Sequence, residues 1–170
     1  MLRPLCLSVT SLAALAAALI AGFFYAYHCS VMPGLDAADP MAAIAAMQAI
    51  NATVRNMTFA FSFFGTLGFG LLASIAMALR QPRDPAAWLV WSGTALYGCG
   101  AFAVTMAFNV PLNEALAAAT PTAQSAAAIW QDYAQPWITW NTLRMIASLM
   151  ALFCFAAALW LEAGAAKSSH

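Results

Sequence analysis

The chain has 170 residues, of which 64% are hydrophobic and only 7% are charged, with a formal net charge of zero. Soluble domains carry about 25% charged residues. A short chain also cannot hide this much apolar surface in water, because small domains are mostly surface. The composition therefore excludes an ordinary soluble enzyme, a disordered segment and a nucleic-acid binder, which needs a basic surface. Lipid is the expected solvent and partner.

Charged residues divide the chain into apolar segments. Three gaps without Asp, Glu, Lys or Arg hold 32, 24 and 29 residues, bounded by Arg3 and Asp36, Arg55 and Arg80, and Asp84 and Glu114. A spanning helix needs about 20 apolar residues, so each gap holds one span. A fourth apolar stretch is interrupted only by Arg144. We predict an all-α protein with one membrane domain over residues 1–170, an up-down four-helix bundle with spans near 5–32, 56–79, 86–110 and 137–161.

The first apolar segment has two interpretations, a signal peptide and a retained helix. The apolar run Leu5–Tyr27 is longer than the roughly 7–15 residues of a signal-peptide core. Cys29 is preceded by Tyr27 and His28. These two residues are too large for a lipoprotein cleavage site. These features favour a retained helix.

Basic residues predict the orientation. They lie near the amino terminus, in the second loop and in the tail, at Arg3, Arg80, Arg83 and Lys167. The positive-inside rule then puts both termini in the cytoplasm of a bacterial cell, with the protein in the inner membrane. The first and third connections would share the outer, periplasmic face.

Proline and capping residues predict helices in the outer connections. Asp39-Pro40 and Thr120-Pro121 each combine an N-cap with proline at the first helical position. Helices at Met41–Val54 and Thr122–Tyr133 would form a partly helical outer cap. Asp84-Pro85 opens the third span in the same way, and Asn109-Val110-Pro111 is expected to close it, because a residue before proline avoids the helical region.

Small residues mark the expected helix contacts, since they allow close approach of helices in lipid. Glycines of the second and third spans have the same interpretation, with a ligand-approach role as the alternative. The residues are Ala14, Ala18 and Gly22, then Gly65, Gly68 and Gly70, then Gly93, Gly98 and Gly100.

Motifs for cofactors are missing from the sequence. The four cysteines form no C-x-x-C pair, the histidines are only His28 and His170, and the predicted spans contain no Asp or Glu. A thiol oxidoreductase, a bis-histidine haem and a carboxylate-bridged di-iron site are therefore not expected. We expect no cofactor and no metal ligands.

Polar residues of every predicted helix point toward the outer half of the bundle. Helical spacing aligns Trp137, Asn141, Arg144 and Ser148 on span four, Thr94, Gly98, Thr105 and Asn109 on span three, and Gln48, Asn51 and Arg55 ahead of Asn56. His28 lies near the outer end of span one. Ionisable residues within a membrane are costly and tend to face an interior or a water-filled cavity. This convergence predicts a polar pocket.

Two of these residues each have a plain and a chemical interpretation. Arg144 either snorkels to interfacial water or binds a ligand anion in the pocket, since no acidic residue lies in a span to pair with it. The nearest acidic alternatives are Glu114 and Asp132. His28 is either an interfacial polar group or a general base, because histidine titrates near neutral pH.

Five motifs stand out along the chain: Gly22-Phe23-Phe24-Tyr25, Val31-Met32-Pro33-Gly34-Leu35, Met47-Gln48-x-Ile50-Asn51, Asn109-Val110-Pro111-Leu112-Asn113 and Trp130-x-x-Tyr133-x-x-x-Trp137-x-x-x-Asn141-x-x-Arg144. In these motifs the chain resembles the anthrone oxygenase-like family of bacterial four-helix membrane proteins. These motifs run over nearly the whole chain. They identify the family specifically, but they carry little information about the substrate.

The resemblance implies a cofactor-independent oxygenase of a flat phenolic or anthrone-like molecule. Such a reaction needs a base, groups that stabilise an anion, and an apolar pocket that excludes water. The implied catalytic residues are His28 and Arg144. The implied substrate-binding residues are Asn51, Asn56, Asn109, Asn113, Tyr133, Trp137 and Asn141.

Two further classes stay open at this point. One is a non-enzymatic membrane protein that binds a small hydrophobic aromatic ligand or lipid. The other is a subunit of a larger membrane complex, with homo-oligomers also open. A transporter is disfavoured, because four spans lack the repeats that alternating access uses.

Overall fold

A computed structural model describes residues 2–167 of the chain; His170 lies outside this range. The helices are α1 (Leu2–Ala26), α2 (Met32–Asp36), α3 (Pro40–Thr53), α4 (Met57–Arg80), α5 (Pro85–Tyr97), α6 (Val110–Ala118) and α7 (Ala126–Lys167). π-Helical turns at Tyr27–Val31, and at Gly98–Ala103 and Thr105–Asn109, join α1 to α2 and α5 to α6. The described residues contain no strand.

Within residues 2–167, four helical rods are long and apolar enough to cross a membrane. They comprise Leu2–Asp36, Met57–Arg80, Pro85–Ala118 and Ala126–Gly164, with 35, 24, 34 and 39 residues. α1 packs against α4 and α7, and α5 packs against the same two helices. The order around the bundle is therefore α1, α4, α5, α7, and the predicted all-α four-helix bundle is confirmed.

The bundle core combines small side chains with a few large ones. Alanines from all four helices are fully buried, and Phe24, Tyr97 and Phe155 fill the space between them. The Tyr97 hydroxyl donates to the Phe63 carbonyl at 2.7 Å, which ties α5 to α4. This hydrogen bond satisfies a buried hydroxyl that would otherwise be costly in an apolar core.

A helical cap covers one end of the bundle, here called the cap end. α3 and α6 pack against each other and against the first half of α7, and Ile44, Met47, Leu116 and Trp130 form a second apolar core there. Gln48 Nε2 donates to the Leu116 carbonyl at 2.8 Å, which also accepts from the Ala119 amide at 3.1 Å, and this links α3 to the end of α6. The predicted partly helical cap is confirmed.

Two of the predicted helix starts are confirmed by side-chain caps. Asp39 Oδ1 accepts from the amides of Met41 and Ala42 at 3.0 and 3.3 Å. Asp84 Oδ1 accepts from the amide of Ala86 at 2.9 Å. The following prolines occupy the first turn, where the missing N–H group needs no partner.

Two predicted boundaries in the third connection are wrong. Val110 stays in the helical region ahead of Pro111, with φ −64° and ψ −50°, and α6 continues to Ala118 because the proline falls in its first turn. The Thr120-Pro121 pair starts no helix. The next helix begins at Ala126, after a turn in which the Thr122 hydroxyl accepts from the Ser125 amide.

α7 is also longer than predicted. The sequence suggested a cap helix ending at Tyr133 and a separate span beginning near Trp137. The structure has one helix from Ala126 to Lys167 that runs through Pro136. One continuous helix therefore contributes residues to both the cap and the four-helix bundle.

Small residues make close helix contacts, but on a different face of α1 than predicted. Ala14, Ala18 and Gly22 are not buried, whereas Ala13 and Ala17 are. The contacts predicted for the third span are confirmed at Gly93 and Gly100. A Cβ on Gly93 would lie 3.0 Å from Cys154 Cβ, and one on Gly100 would lie 2.6 Å from Ala147 Cβ.

A buried carboxylate joins three helices at the end opposite the cap. Glu162 is 3% exposed, and its Oε1 accepts from Arg80 Nη1 at 2.8 Å. Arg3 Nε lies 3.5 Å from Glu162 Oε2, and Arg3 Nη2 donates to the Glu162 carbonyl at 2.6 Å. This charge thus has two cationic partners, from α1 and α4.

Substitution of Gly100 tests the close contact between the third rod and α7. We expect Gly100→Ala to lower the free energy of unfolding by about 1–3 kcal/mol, the usual effect of overpacking. Gly68→Ala is the matched control, because a Cβ at Gly68 meets nothing within 4 Å and alanine is the better helix former. Denaturant titration in detergent micelles measures both. Equal stabilities of the two variants would contradict the contact.

Candidate functional site

A cavity of about 630 Å³ lies at the cap end of the bundle. Its volume is in the range of pockets that enclose drug-sized ligands, roughly 300–1,000 Å³. The lining residues are Phe23, Phe24, Tyr27, Asn51, Val54, Arg55, Asn56, Met57, Phe59, Ala60, Phe63, Phe64, Thr105, Met106, Val110, Asn113, Glu114, Trp137 and Arg144.

Arg144 is the buried cation of this cavity, with only 4% of its surface exposed. Its Nη2 donates to Asn141 Oδ1 at 3.0 Å, and its Nη1 donates to Thr105 Oγ1 at 3.3 Å. Among residues 2–164, no carboxylate lies within ion-pair distance of the guanidinium. The charge is therefore held by neutral groups.

Two aromatic faces complete the surroundings of the guanidinium. Arg144 Cζ lies 4.4 Å from the centroid of the Phe24 ring and 5.1 Å from that of Trp137. Both distances fall within the range of cation–π attraction. A guanidinium has five N–H donors, and Nε has no partner here. Donors thus remain free on a side chain that lines the cavity.

Neighbouring helices fix the partners of Arg144. Asn141 Nδ2 donates to the Phe24 carbonyl at 2.9 Å, so Asn141 links α7 to the backbone of α1. Thr105 lies in a π-helical turn and donates its own hydroxyl hydrogen to the Ala101 carbonyl. That hydrogen bond leaves the oxygen of Thr105 free to accept from Arg144. π-Helical turns of this kind occur frequently at functional sites.

Neighbouring aromatic rings form one wall of the cavity. Ring centroids lie 5.3 Å apart for Trp137 and Tyr27, 4.9 Å for Tyr27 and Phe23, and 5.3 Å for Phe23 and Phe59. Phe59 and Phe63 stack at 5.2 Å with an interplanar angle of 13°. A continuous aromatic surface suits a flat, apolar ligand.

A hydrogen-bond network holds the cap-end rim. Asn113 Oδ1 accepts from the Tyr133 hydroxyl and from Trp137 Nε1, both at 2.9 Å. Asn51 Nδ2 donates to the Tyr133 hydroxyl at 3.4 Å. The network connects α3, α6 and α7, and it orients the indole ring that also faces Arg144.

The rim of the cavity changes from polar to apolar along the helices. Arg55, Asn56 and Glu114 are exposed at the cap end of the rim. Farther along the same rods, Phe64 and Met106 are 55% and 50% exposed. Phe64 lies eight residues after Asn56, or about 12 Å along the helix. The opening therefore reaches from the cap into the apolar part of the bundle.

The predicted site residues fall into three groups. Asn51, Asn56, Asn113, Trp137 and Arg144 line the cavity. Asn109, Tyr133 and Asn141 lie behind its wall, where they bond the Trp137 carbonyl, Asn113, and Arg144 with the Phe24 carbonyl. His28 stands apart from both groups.

His28 lies outside the cavity lining, although it is at the same end of the molecule. Its side chain is exposed, and its Nδ1 is 3.1 Å from the Thr142 hydroxyl. The lining residue on this turn is the preceding Tyr27. Thr94 also lies apart, since its hydroxyl is 3.1 Å from that of Ser74.

Sequence reasoning missed the aromatic wall and the Glu114 side of the rim. Phe23 and Tyr27, and likewise Phe59 and Phe63, stand four residues apart, and this spacing is the signal that could have indicated a shared face. Glu114 was considered only as a partner for Arg144. The two do not form an ion pair.

The fold and the cavity define a four-helix membrane protein with a buried cation in an aromatic-walled pocket. The sequence model of the anthrone oxygenase family matches residues 55–154, more than half of the chain. The chain therefore belongs to the anthrone oxygenase family. The matched range contains Arg144, Asn113 and Trp137, while the motifs of α1 and its following connection precede it. No curated protein matches the chain, and no solved structure matches it.

Two substitutions separate the roles of Arg144 and Asn141 in stability. Arg144→Met removes a buried charge and keeps an apolar stem, so we expect the free energy of unfolding to stay equal or to rise. Asn141→Leu removes the amide, so the Phe24 carbonyl loses its donor and the guanidinium loses an acceptor. We expect it to destabilise the protein by about 1–3 kcal/mol. Denaturant titration compares the variants; a large loss of stability in Arg144→Met alone would contradict this assignment.

Proposed function

We propose that this protein binds the anion of a flat phenolic or anthrone-like molecule in its cavity and promotes oxygenation of that molecule by dioxygen. The observation that carries the proposal is the buried Arg144 guanidinium, which has free donors and no carboxylate partner. An anionic oxygen of the ligand would supply the missing partner. Membership of the anthrone oxygenase family supports the same chemistry.

The cavity suits a planar tricyclic molecule with one acidic oxygen. Its wall is a run of rings from Trp137 to Phe63, which would cover the flat faces of the ligand. Arg144 and the Thr105 hydroxyl lie next to each other in the cavity wall, and Asn51 and Asn113 lie at the rim. The ligand would thus direct its ionised oxygen toward Arg144 and any further hydroxyl groups toward the rim.

The proposed reaction converts an anthrone and dioxygen into an anthraquinone and water. Loss of a proton from the ring CH₂ gives an enolate whose charge rests on the opposite oxygen. This anion passes an electron to dioxygen and forms a C–O bond to it, and loss of water from the resulting hydroperoxide gives the quinone. Arg144 stabilises the enolate, because a charged donor in a water-poor site acts more strongly than in water.

The apolar part of the rim offers a route from the bilayer. Phe64 on α4 and Met106 on the third rod line the cavity and are half-exposed on its outside. A neutral, lipid-soluble anthrone would enter between them and ionise only next to Arg144. This route matches the poor water solubility of polycyclic phenols.

Binding and turnover test the role of Arg144. We expect Arg144→Met to weaken binding of a hydroxyanthraquinone by about 10- to 150-fold, the loss of one charge-assisted hydrogen bond. Arg144→Lys keeps the charge and should lose less. Quenching of tryptophan fluorescence measures binding in micelles, and conversion of an anthrone under air, corrected for the spontaneous rate, measures turnover.

The same measurements separate the oxygenase from a binding protein. Wild-type acceleration that is lost in Arg144→Met supports the proposal. Binding without any acceleration, for every anthrone tried, would contradict oxygenation and favour a non-enzymatic ligand-binding protein. Unchanged binding in Arg144→Met would contradict the anion site itself.

The proposed orientation puts the cap and the cavity rim on the periplasmic face of the bacterial inner membrane. Arg80 and Arg83 lie at the opposite end with Arg3, and this distribution of positive charge favours the cytoplasm. Both termini would then be cytoplasmic.

A reporter fusion tests this orientation. We expect a fluorescent protein that matures only in the cytoplasm to be bright when it is fused after His170, because the tail follows the basic end of the bundle. The same reporter inserted after Ala119, in the third connection, should be dark. A dark tail fusion in a correctly inserted protein would contradict the orientation.

A further inference from the structure

We infer that Glu114 is the proton acceptor of the proposed oxygenation, and this inference rests on the proposed function. The reaction begins with removal of a proton from the ring CH₂ group of the substrate. The acceptor must therefore face the cavity that holds the substrate. Glu114 is the one carboxylate, and no histidine is present, among the lining residues of the described chain.

The other titratable groups of the cavity are poorly suited to accept this proton. Arg55 and Arg144 are cations, and a guanidinium has no acceptor. A phenol such as Tyr27 is protonated at neutral pH. A carboxylate is ionised at neutral pH and accepts a proton directly.

The position of Glu114 on α6 directs it toward the cavity. Met106, Val110, Asn113 and Glu114 all line the cavity, which shows that this face of the third rod is its wall. Cα–Cβ bonds tilt toward the amino terminus of a helix, so the Glu114 side chain leans toward Val110 and Met106. A side chain that follows this tilt carries its carboxylate from the rim toward the part of the cavity that contains Arg144.

Glu114 and the Arg144 site lie at different ends of this wall. Thr105, the Arg144 partner, precedes Glu114 by nine residues, or about two turns of helix. In an anthrone, the enolate oxygen and the CH₂ carbon stand on opposite sides of the central ring. With the oxygen bound to Arg144, the CH₂ carbon points away from the guanidinium, toward the rim and Glu114.

The proton step balances with dioxygen as the oxidant. The C–H bond breaks, an O–H bond forms on Glu114, and the electron pair stays in the ring as the enolate. After the anion transfers an electron to dioxygen and the C–O bond forms, the carboxyl group returns its proton to the peroxide. Loss of the second ring hydrogen with cleavage of the O–O bond releases water and leaves the quinone.

Solvent exposure also suits Glu114 to the role of proton acceptor. Its side chain reaches water at the cap end, so protons can exchange with solvent between turnovers. His28 is exposed as well, but it hydrogen-bonds to Thr142 and lies outside the cavity lining. Contact with the cavity is what distinguishes the two.

Conservative substitutions of the full-length protein in micelles test the inference. We expect Glu114→Gln to lower anthrone turnover by about 10²- to 10⁴-fold, the usual contribution of general base catalysis, with binding of a hydroxyanthraquinone unchanged within about twofold. Asp132→Asn is the matched control, since Asp132 is exposed at the cap end but does not line the cavity. It should turn over like the wild type.

Chemical rescue adds a measurement that a structural role would not change. Added acetate or formate should restore part of the turnover of Glu114→Ala, because a free carboxylate enters the vacated space.

Three outcomes would overturn the inference. Wild-type turnover in Glu114→Gln would exclude Glu114 as the base. Loss of turnover in His28→Gln, with Glu114→Gln active, would assign the base to His28. A wild-type protein that binds the quinone but accelerates no anthrone oxidation would remove the proposed function first, and this inference with it.

Discussion

A buried guanidinium without an anionic partner is the constraint around which the cap end of this protein is built. An isolated charge in an apolar interior is strongly unfavourable unless dipoles and rings compensate it. Arg144 receives such compensation from three rods: the Thr105 hydroxyl, the Asn141 amide, and the ring faces of Phe24 and Trp137. Each of these groups is itself fixed by another contact. Displacement of any of the three rods would therefore change the groups that surround the Arg144 guanidinium.

The π-helical turns and the cap follow from this arrangement. The turns at Tyr27–Val31 and Thr105–Asn109 lie on either side of the site and change which side chains face inward. Asn113 orients Trp137 from the cap, while Trp137 in turn faces the guanidinium. The space left between the cation and the cap rim is the cavity, so the geometry that stabilises Arg144 also creates a ligand-sized volume next to it.

The bundle could be predicted from the sequence, because in lipid the few charges alone delimit the spans. The convergence of Asn51, Trp137 and Arg144 could also be predicted, since helical spacing and depth locate them together. The π-helical turns could not be predicted, because they lack a sequence signature. They rotate Thr105 away from the face of Thr94, although the α-helical period places these two threonines on one face. His28 shows the same limit: depth along α1 was right, but one residue corresponds to about 100° around a helix, and Tyr27 faces the cavity instead.

A second buried charge in the same chain has ionic partners, in contrast to Arg144. Glu162, at the opposite end, is as deeply buried and has both Arg80 and Arg3 as partners. That ion cluster links α1, α4 and α7, and it leaves both oxygens of the buried carboxylate paired with cations. At the cap end the nearest cavity carboxylate, Glu114, remains at the exposed rim and forms no ion pair with Arg144. The Glu162 charge is satisfied by cations of the chain itself, whereas a guanidinium held only by neutral groups beside an aromatic cavity keeps its attraction for an anion that comes from outside the chain.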